Sequence, residues 1–182
     1  MADYCSCNCS VTSGEEDKRV VQLGFYFKQL LYDIRTLAFV EGDIMPSDAE
    51  HARHQTIDIG EHGNVDRVKR ILSLGVAECA ELCYPFSRRP LTGDMYLDDC
   101  PQDECIYGIE LNVPEHFSET TAMLLKEQIH EYLVCRVLSD WFSITKPEAS
   151  MRWQLKLADI KKEISEIKNS RRGAFTRKTH PW

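Results

Sequence analysis

Residues 119–144 place apolar side chains on nearly every face of a would-be helix: Met123, Leu124, Leu125, Ile129, Tyr132, Leu133, Val134, Val137, Leu138, Trp141 and Phe142. A helix that is apolar all round must be covered on most sides, within its own domain or between subunits. Ser118 stands where an N-cap is needed. After it, Thr145-Lys146-Pro147-Glu148 joins a second helix over 147–169, with Thr145 and Glu148 at capping-box spacing. In that helix Trp153, Leu157, Ile160, Ile164 and Ile167 step by four and three, a narrow seam suited to one neighbour. With Trp141, these residues form the expected core and subunit-packing set.

The rest of the chain supplies two more helices and a strand region. Ser13 and Glu16 have capping-box spacing, and Val20, Leu23, Phe27, Leu30, Leu31 and Ile34 draw an apolar stripe, so a helix is predicted over 15–38. Gly42 and Pro46 end it, and residues 42–63 read as a polar connection. Asn64 is set to cap a helix over 65–84, with Val68, Ile71, Leu72, Val76, Cys79, Leu82 and Cys83 on its buried face and Pro85 and Pro90 closing it. Residues 91–114 read as a loop and hairpin, with Ile109, Leu111 and Val113 alternating on one face and Asp98–Glu104 as an acidic tip. The predicted fold is mainly α: a four-helix, bundle-like domain over 15–170 with a small β-hairpin insertion, a Cys-rich leader over 1–14 and an extended basic tail over 171–182.

Charge and cysteine usage narrow the function. The net charge is −7, but residues 171–182 carry +4, which leaves −11 for residues 1–170. Such a body is not a general nucleic-acid-binding surface, although a negative wall lets a polyanion pass without sticking. No run approaches the roughly 18 apolar residues of a membrane span. The start, Met1-Ala2-Asp3-Tyr4-Cys5, lacks a signal-peptide layout, so the chain is expected to stay in a cytoplasm with its eight cysteines reduced.

Candidate chemistry is sparse. Cys5, Cys7 and Cys9 are spaced C-x-C-x-C rather than in the two-to-four-residue pairs of structural zinc sites, and Cys100 and Cys105 have no second matched pair. His130-Glu131 resembles the start of a zinc-protease helix, but the second histidine is replaced by Val134. His130 and Glu131 are instead expected on a polar stripe with Glu127 and Arg136, the last pairing with Asp140 at i,i+4. His51, His54 and His62, with Asp58 and Glu61, lie in the predicted connection. No catalytic residue, metal site or cofactor is assigned, and the chain is read as non-enzymatic. The alternatives are a small metal-binding or regulatory protein built on the cysteines, and an enzyme with a site between the second and third predicted helices.

The strongest binding candidate is the tail. Arg171, Arg172, Arg177 and Lys178 supply charge, Phe175 and Trp182 supply aromatic anchors, and His180 joins the docking set beside Pro181, which limits the ending's freedom.

The order helix, acidic hairpin, proline-bounded strand, apolar helix and last helix resembles the head–tail connector (adaptor) proteins of tailed bacteriophages and prophages. Val76-Ala77-Glu78-Cys79-Ala80-Glu81-Leu82-Cys83-Tyr84-Pro85 looks like that family's helix ending in an aromatic. Leu111-Asn112-Val113-Pro114 followed by Leu124–Trp141 looks like its strand and long packing helix. The resemblance implies a structural virion protein assembled in the host bacterial cytoplasm. It implies a homo-oligomeric ring, usually of twelve copies, below the portal protein and beside stopper or tail-completion proteins. Double-stranded DNA would cross its lumen without sequence-specific binding, no membrane is involved, and residues 171–182 would dock on the portal. Another neck or tail-completion role is the nearest alternative.

Overall fold

In a computed structural model of the chain, residues 18–46, 49–90, 93, 105–115 and 117–169 are described. The order is β1 (Lys18–Tyr26), α1 (Phe27–Asp43), α2 (Glu50–Ile57), a 3-10 turn (Asp58–Gly60), α3 (His62–Leu82), β2 (Ile106–Pro114), α4 (Glu119–Thr145) and α5 (Pro147–Asn169). The protein is mainly helical, with one small antiparallel sheet. Five helices, not four, make up the described body.

The first departure from the sequence reading is β1. The stripe through Val20, Leu23 and Phe27 has helical spacing, but Val21, Leu23 and Phe25 also alternate with period two. The second pattern wins: Leu23 and Phe25 are buried, Val21 is partly buried, and Val20 stays 55% exposed. Residues 18–26 are rich in β-formers, and Gly24 weakens any helix there. The strand also has a partner, because β2 pairs with it over its whole length, from Lys18 opposite Pro114 to Tyr26 opposite Ile106.

The predicted 91–114 hairpin is therefore half of a long-range sheet. Its Ile109/Leu111/Val113 alternation does face the core, joined by Tyr107, and Pro114 ends the strand. The acidic tip 98–104, the leader 1–14 with its Ser13 and Glu16 signal, and the tail lie outside the described residues.

The second departure is 42–63. This segment holds the end of α1, all of α2 and the 3-10 turn, and α3 begins at His62 rather than 65. The periodicity missed α2 because only Thr56 is buried on it. Gly42 does not stop α1. It lets Ile57 of α2 come close, since a Cβ there would lie 2.6 Å from Ile57 Cγ1. Asn64 is not a cap. It sits in the first turn of α3, and its Nδ2 donates to Asp58 O at 2.8 Å.

Helices α4 and α5 match their expected spans within a residue. Ser118 occupies the N-cap of α4, but its side chain makes no cap bond. Thr145 is the last residue of α4 and donates to Trp141 O at 3.2 Å, so it does not form a capping box with Glu148. Pro147 opens α5, a first-turn position that needs no N–H. Helix α4 is the hub: it touches α1, α2, α3, α5 and β1.

Candidate functional site

Of the polar residues expected on a stripe of α4, Glu127 is exposed and pairs with Lys126 of its own helix, while His130, Glu131 and Arg136 are tied to other elements. Arg136 does not pair with Asp140, four residues on. It reaches Glu78 of α3 at 3.3 Å, while Asp140 accepts from Arg67 Nη2 at 2.6 Å. His130 Nε2 lies 2.8 Å from Asp33 of α1, and Glu131 pairs with Lys156 of α5. Tyr132, fully buried, donates its hydroxyl to Glu78 Oε2 at 2.5 Å, and Lys161 lies over its ring. Three elements, α1, α3 and α5, are thus pinned to α4 by charge or hydrogen bond.

Burial pushes the Glu78 carboxyl up, but the bonds from Tyr132 and Arg136 and the charges of Arg136 and Lys161 outweigh it, leaving its pKa below the ordinary value. Burial and the neighbouring Glu78 push the Tyr132 phenol the other way, so it stays protonated. Together they form an ionised acceptor held by a neutral donor and a cation. Such a unit fixes register between α3 and α4.

A second cluster closes the opposite junction. Glu41, near the end of α1, is only 7% exposed. Lys146, between α4 and α5, reaches it at 3.3 Å, and Arg152 of α5 pairs with its other oxygen. A buried carboxylate needs such partners, and this one staples α1 to the α4–α5 turn.

The expected packing set lies in one interface. Trp141, Trp153, Ile160 and Ile164 are buried, with Leu157 and Ile167 packed against them. Trp141 Nε1 donates to Thr56 O at 3.1 Å, whereas Trp153 Nε1 is buried without an acceptor among the described residues. The Phe142 and Trp153 rings meet at 6.0 Å. All six serve packing inside the chain.

The tail candidates Arg171, Arg172, Phe175, Arg177, Lys178, His180, Pro181 and Trp182 lie outside the described residues. Their point of departure is fixed. In the last turn of α5, Lys168 Nζ donates to Leu82 O and, at 2.6 Å, to Tyr84 O. This satisfies carbonyls at the C-terminal end of α3 with a cation. The main chain just after α3 meets β2, where Asn112 N donates to Phe86 O at 2.7 Å. The described end of α5 therefore sits beside the end of α3.

Large apolar side chains also remain outside. Helix α1 buries Leu30, Ile34 and Ala38 but leaves Tyr32, Phe39, Val40 and the C-cap Ile44 exposed, α5 leaves Met151 and Leu155 exposed, and α4, against the all-round covering expected of it, leaves Met123, Leu124 and Ile144 exposed near its ends. Near the start of α1 and α3 a cavity of about 970 Å³ opens, lined by Phe27, Leu31, Arg35, His62, Lys69 and Cys105 among others. The sequence reading missed this cavity, because its residues come from three separate segments. The only local signal was Gly60, beside which Arg35 lies.

Cys79, Cys83 and Cys135 are buried among apolar residues, in keeping with their place in the helical pattern. Burial raises all three thiols, Cys83 to about 11 and Cys135 to about 12, so they persist as neutral S–H groups. His51 and His54 lie on α2 and His62 at the start of α3, not in a loop. Among the described residues no group of three His, Cys, Asp or Glu side chains could hold a metal, and no helix is long and apolar enough to cross a membrane. Compared with known proteins, the chain matches no protein-family model, no curated protein and no solved structure.

Proposed function

We propose that this protein is a structural assembly protein: a head–tail connector of a tailed bacteriophage or prophage, forming a homo-oligomeric ring below the portal. One observation carries the assembly reading. The outer face of α1 leaves Tyr32, Phe39, Val40 and Ile44 in solvent at 48–70% exposure, although the inner face of the same helix is fully packed. Exposed large apolar residues on one helix face mark an interface rather than a solvated surface. Copies that cover this face would bury it, and the rigid cross-bracing of α4 would hold each copy in one shape.

The finer reading, a connector rather than another assembly protein, rests on the sequence pattern around 76–85 and 111–141. The acidic body fits a wall past which duplex DNA slides without gripping. The tail supplies cations and aromatics for a portal subunit, with stopper or tail-completion proteins as the other neighbours.

The test is the mass of the purified protein by native mass spectrometry, alone and mixed with a candidate portal protein. A closed ring, alone or on the portal, is expected. A strict monomer that ignores every portal ring would overturn the reading.

A further inference from the structure

The cavity between the start of α1 and the start of α3 has a chemistry that the assembly reading does not use. Its floor is apolar: Phe27 and Leu31 from α1 and Val65 from α3. Its polar lining is cationic. Lys28 and Arg35 come from α1 and Lys69 from α3, with the His62 imidazole beside them, and no Asp or Glu is among the described lining residues. Lys69 also lies 3.5 Å from Asp66, which stands outside the lining. In a chain of net charge −7, Lys28 and Arg35 on the lining of one apolar hollow run against the overall field. Arg35 crosses beside Gly60: a Cβ on Gly60 would lie 2.5 Å from Arg35 Cδ and 2.8 Å from Cγ, so a larger residue there would push the flexible stem aside. The volume, about 970 Å³, is that of a pocket for a small molecule.

We propose that this cavity binds one amphiphilic organic anion, a carboxylate or sulfonate on an aliphatic or aromatic body. The apolar part would lie on Phe27, Leu31 and Val65, and the charged head would meet Arg35 and Lys28. A guanidinium gives a carboxylate two parallel N–H donors, and apolar surroundings strengthen the pairing.

The experiment uses the full chain and 8-anilinonaphthalene-1-sulfonate fluorescence, with decanoate and decanol as competitors. Saturable binding of one dye per chain is expected, displaced by decanoate and not by decanol. Arg35→Glu should weaken decanoate at least about tenfold, equivalent to about 1.4 kcal/mol. Gly60→Ala, which must push Arg35 aside, should weaken it severalfold. Lys162→Glu on α5, an exposed residue outside the cavity lining, should leave it unchanged. If Arg35→Glu loses its helical circular dichroism, Lys28→Glu takes its place. Location is read independently: Cys105 lines the cavity and is exposed, so decanoate should slow its alkylation by iodoacetamide, followed by peptide mass. Absence of saturable binding, equal affinity in the charge-reversed variant, equal displacement by decanol, or an unprotected Cys105 would each overturn the proposal.

Discussion

Helices α4 and α1 are both rich in large apolar residues, yet they spend them differently. On α4 twelve residues are buried and only the ends stay apolar in solvent, through Met123, Leu124 and Ile144, while His130, Glu131, Arg136 and Asp140 find partners on α1, α3 and α5. On α1 one stripe, Leu30, Ile34 and Ala38, enters the core, while Tyr32, Phe39 and Val40, with Ile44 at the C-cap, stay outside along its length. The difference lies in neighbours, not composition. Helix α4 is covered by four helices and a strand, whereas α1 meets α2, α4 and β1. An apolar residue stabilises the monomer only where a second element removes it from water. The same residue type on the uncovered face of α1 is left for another molecule.

The sharpest way to break this comparison is a matched pair of truncations. Phe142→Ala and Trp141→Ala on α4 should each destabilise by about 3–5 kcal/mol, as for large buried aromatics. Phe39→Ala on α1 should stay within about 0.5 kcal/mol, as for a surface change. Urea unfolding of the three variants checks it. A Phe39→Ala loss comparable with that of Phe142→Ala would mean that α1 is covered within the monomer.

Next in size is the α3–α4 pin. Tyr132→Phe leaves the Glu78 carboxylate short of one hydrogen bond and should cost about 1.5–3 kcal/mol, the range for bonds to charged groups. Its pH signature has a definite sign. The folded Glu78 pKa lies below the unfolded one, so the pin's contribution is present above the unfolded pKa, near 4.5, and is lost as pH falls through the folded value. Glu78→Gln should flatten the acid limb of a stability-against-pH curve. An unchanged acid limb would show that the pin has no weight.

At the alkaline end the buried thiols act in the opposite direction. The unfolded thiols ionise near pH 8.5, while Cys83 and Cys135 in the folded chain hold their protons to about 11 and 12. The unfolded state therefore loses protons first, and stability should fall as pH rises above about 8.5. Cys135→Ala should reduce that slope, although it adds a small cavity. A slope identical to the wild type would place the ionising groups elsewhere.

What the sequence allowed follows from the same contrast. Helices α4 and α5 were legible because a long apolar run with a matching seam has only one economical packing, and Pro147 marks the join. Residues 18–26 were misread because Val21, Leu23 and Phe25 fit period two while Leu23 and Phe27 also fit a helix. Only pairing with β2, more than 80 residues away in sequence, decides between them. Helix α2 carries almost no apolar stripe, so periodicity could not find it. The ion pairs of α4 were misassigned because Arg136 and Asp140 are one turn apart, whereas Glu78 and Arg67 are neighbours only after folding. The cavity was invisible for that reason as well.

Smaller in stability, but aimed at assembly, is a surface test of α1. Tyr32→Ser, Phe39→Ser and Ile44→Ser together should leave the melting curve nearly unchanged, because surface substitutions fall within about 0.5 kcal/mol each. If α1 is an interface, the native mass should shift from ring to monomer, since apolar contacts supply most of such an interface's core. An intact ring in the triple variant would move the interface elsewhere.

The smallest effect on folding, and the most telling for partner choice, is expected from removing residues 171–182. The apolar seam of α5 ends at Ile167, and Lys168 already satisfies the carbonyls of Leu82 and Tyr84, so the body keeps its last anchor without the tail. Truncation after Ser170 should therefore leave circular dichroism and melting unchanged. The cost should appear in docking. Arg171, Arg172, Arg177 and Lys178 would steer the chain to an acidic surface and set the on-rate. Phe175 and Trp182 would fill pockets, each worth about 2 kcal/mol or more as a buried anchor. Pull-down on a portal ring separates the two contributions. Trp182→Ala should shorten the complex's lifetime with little change in salt dependence. Neutralising the four cations should slow association and weaken its dependence on salt. Ring formation without the portal should survive both changes, because the α1 face is untouched. A truncated chain that still binds the portal as tightly as the full chain would reduce the tail to a solvated appendage and leave α1 as the only interface to pursue.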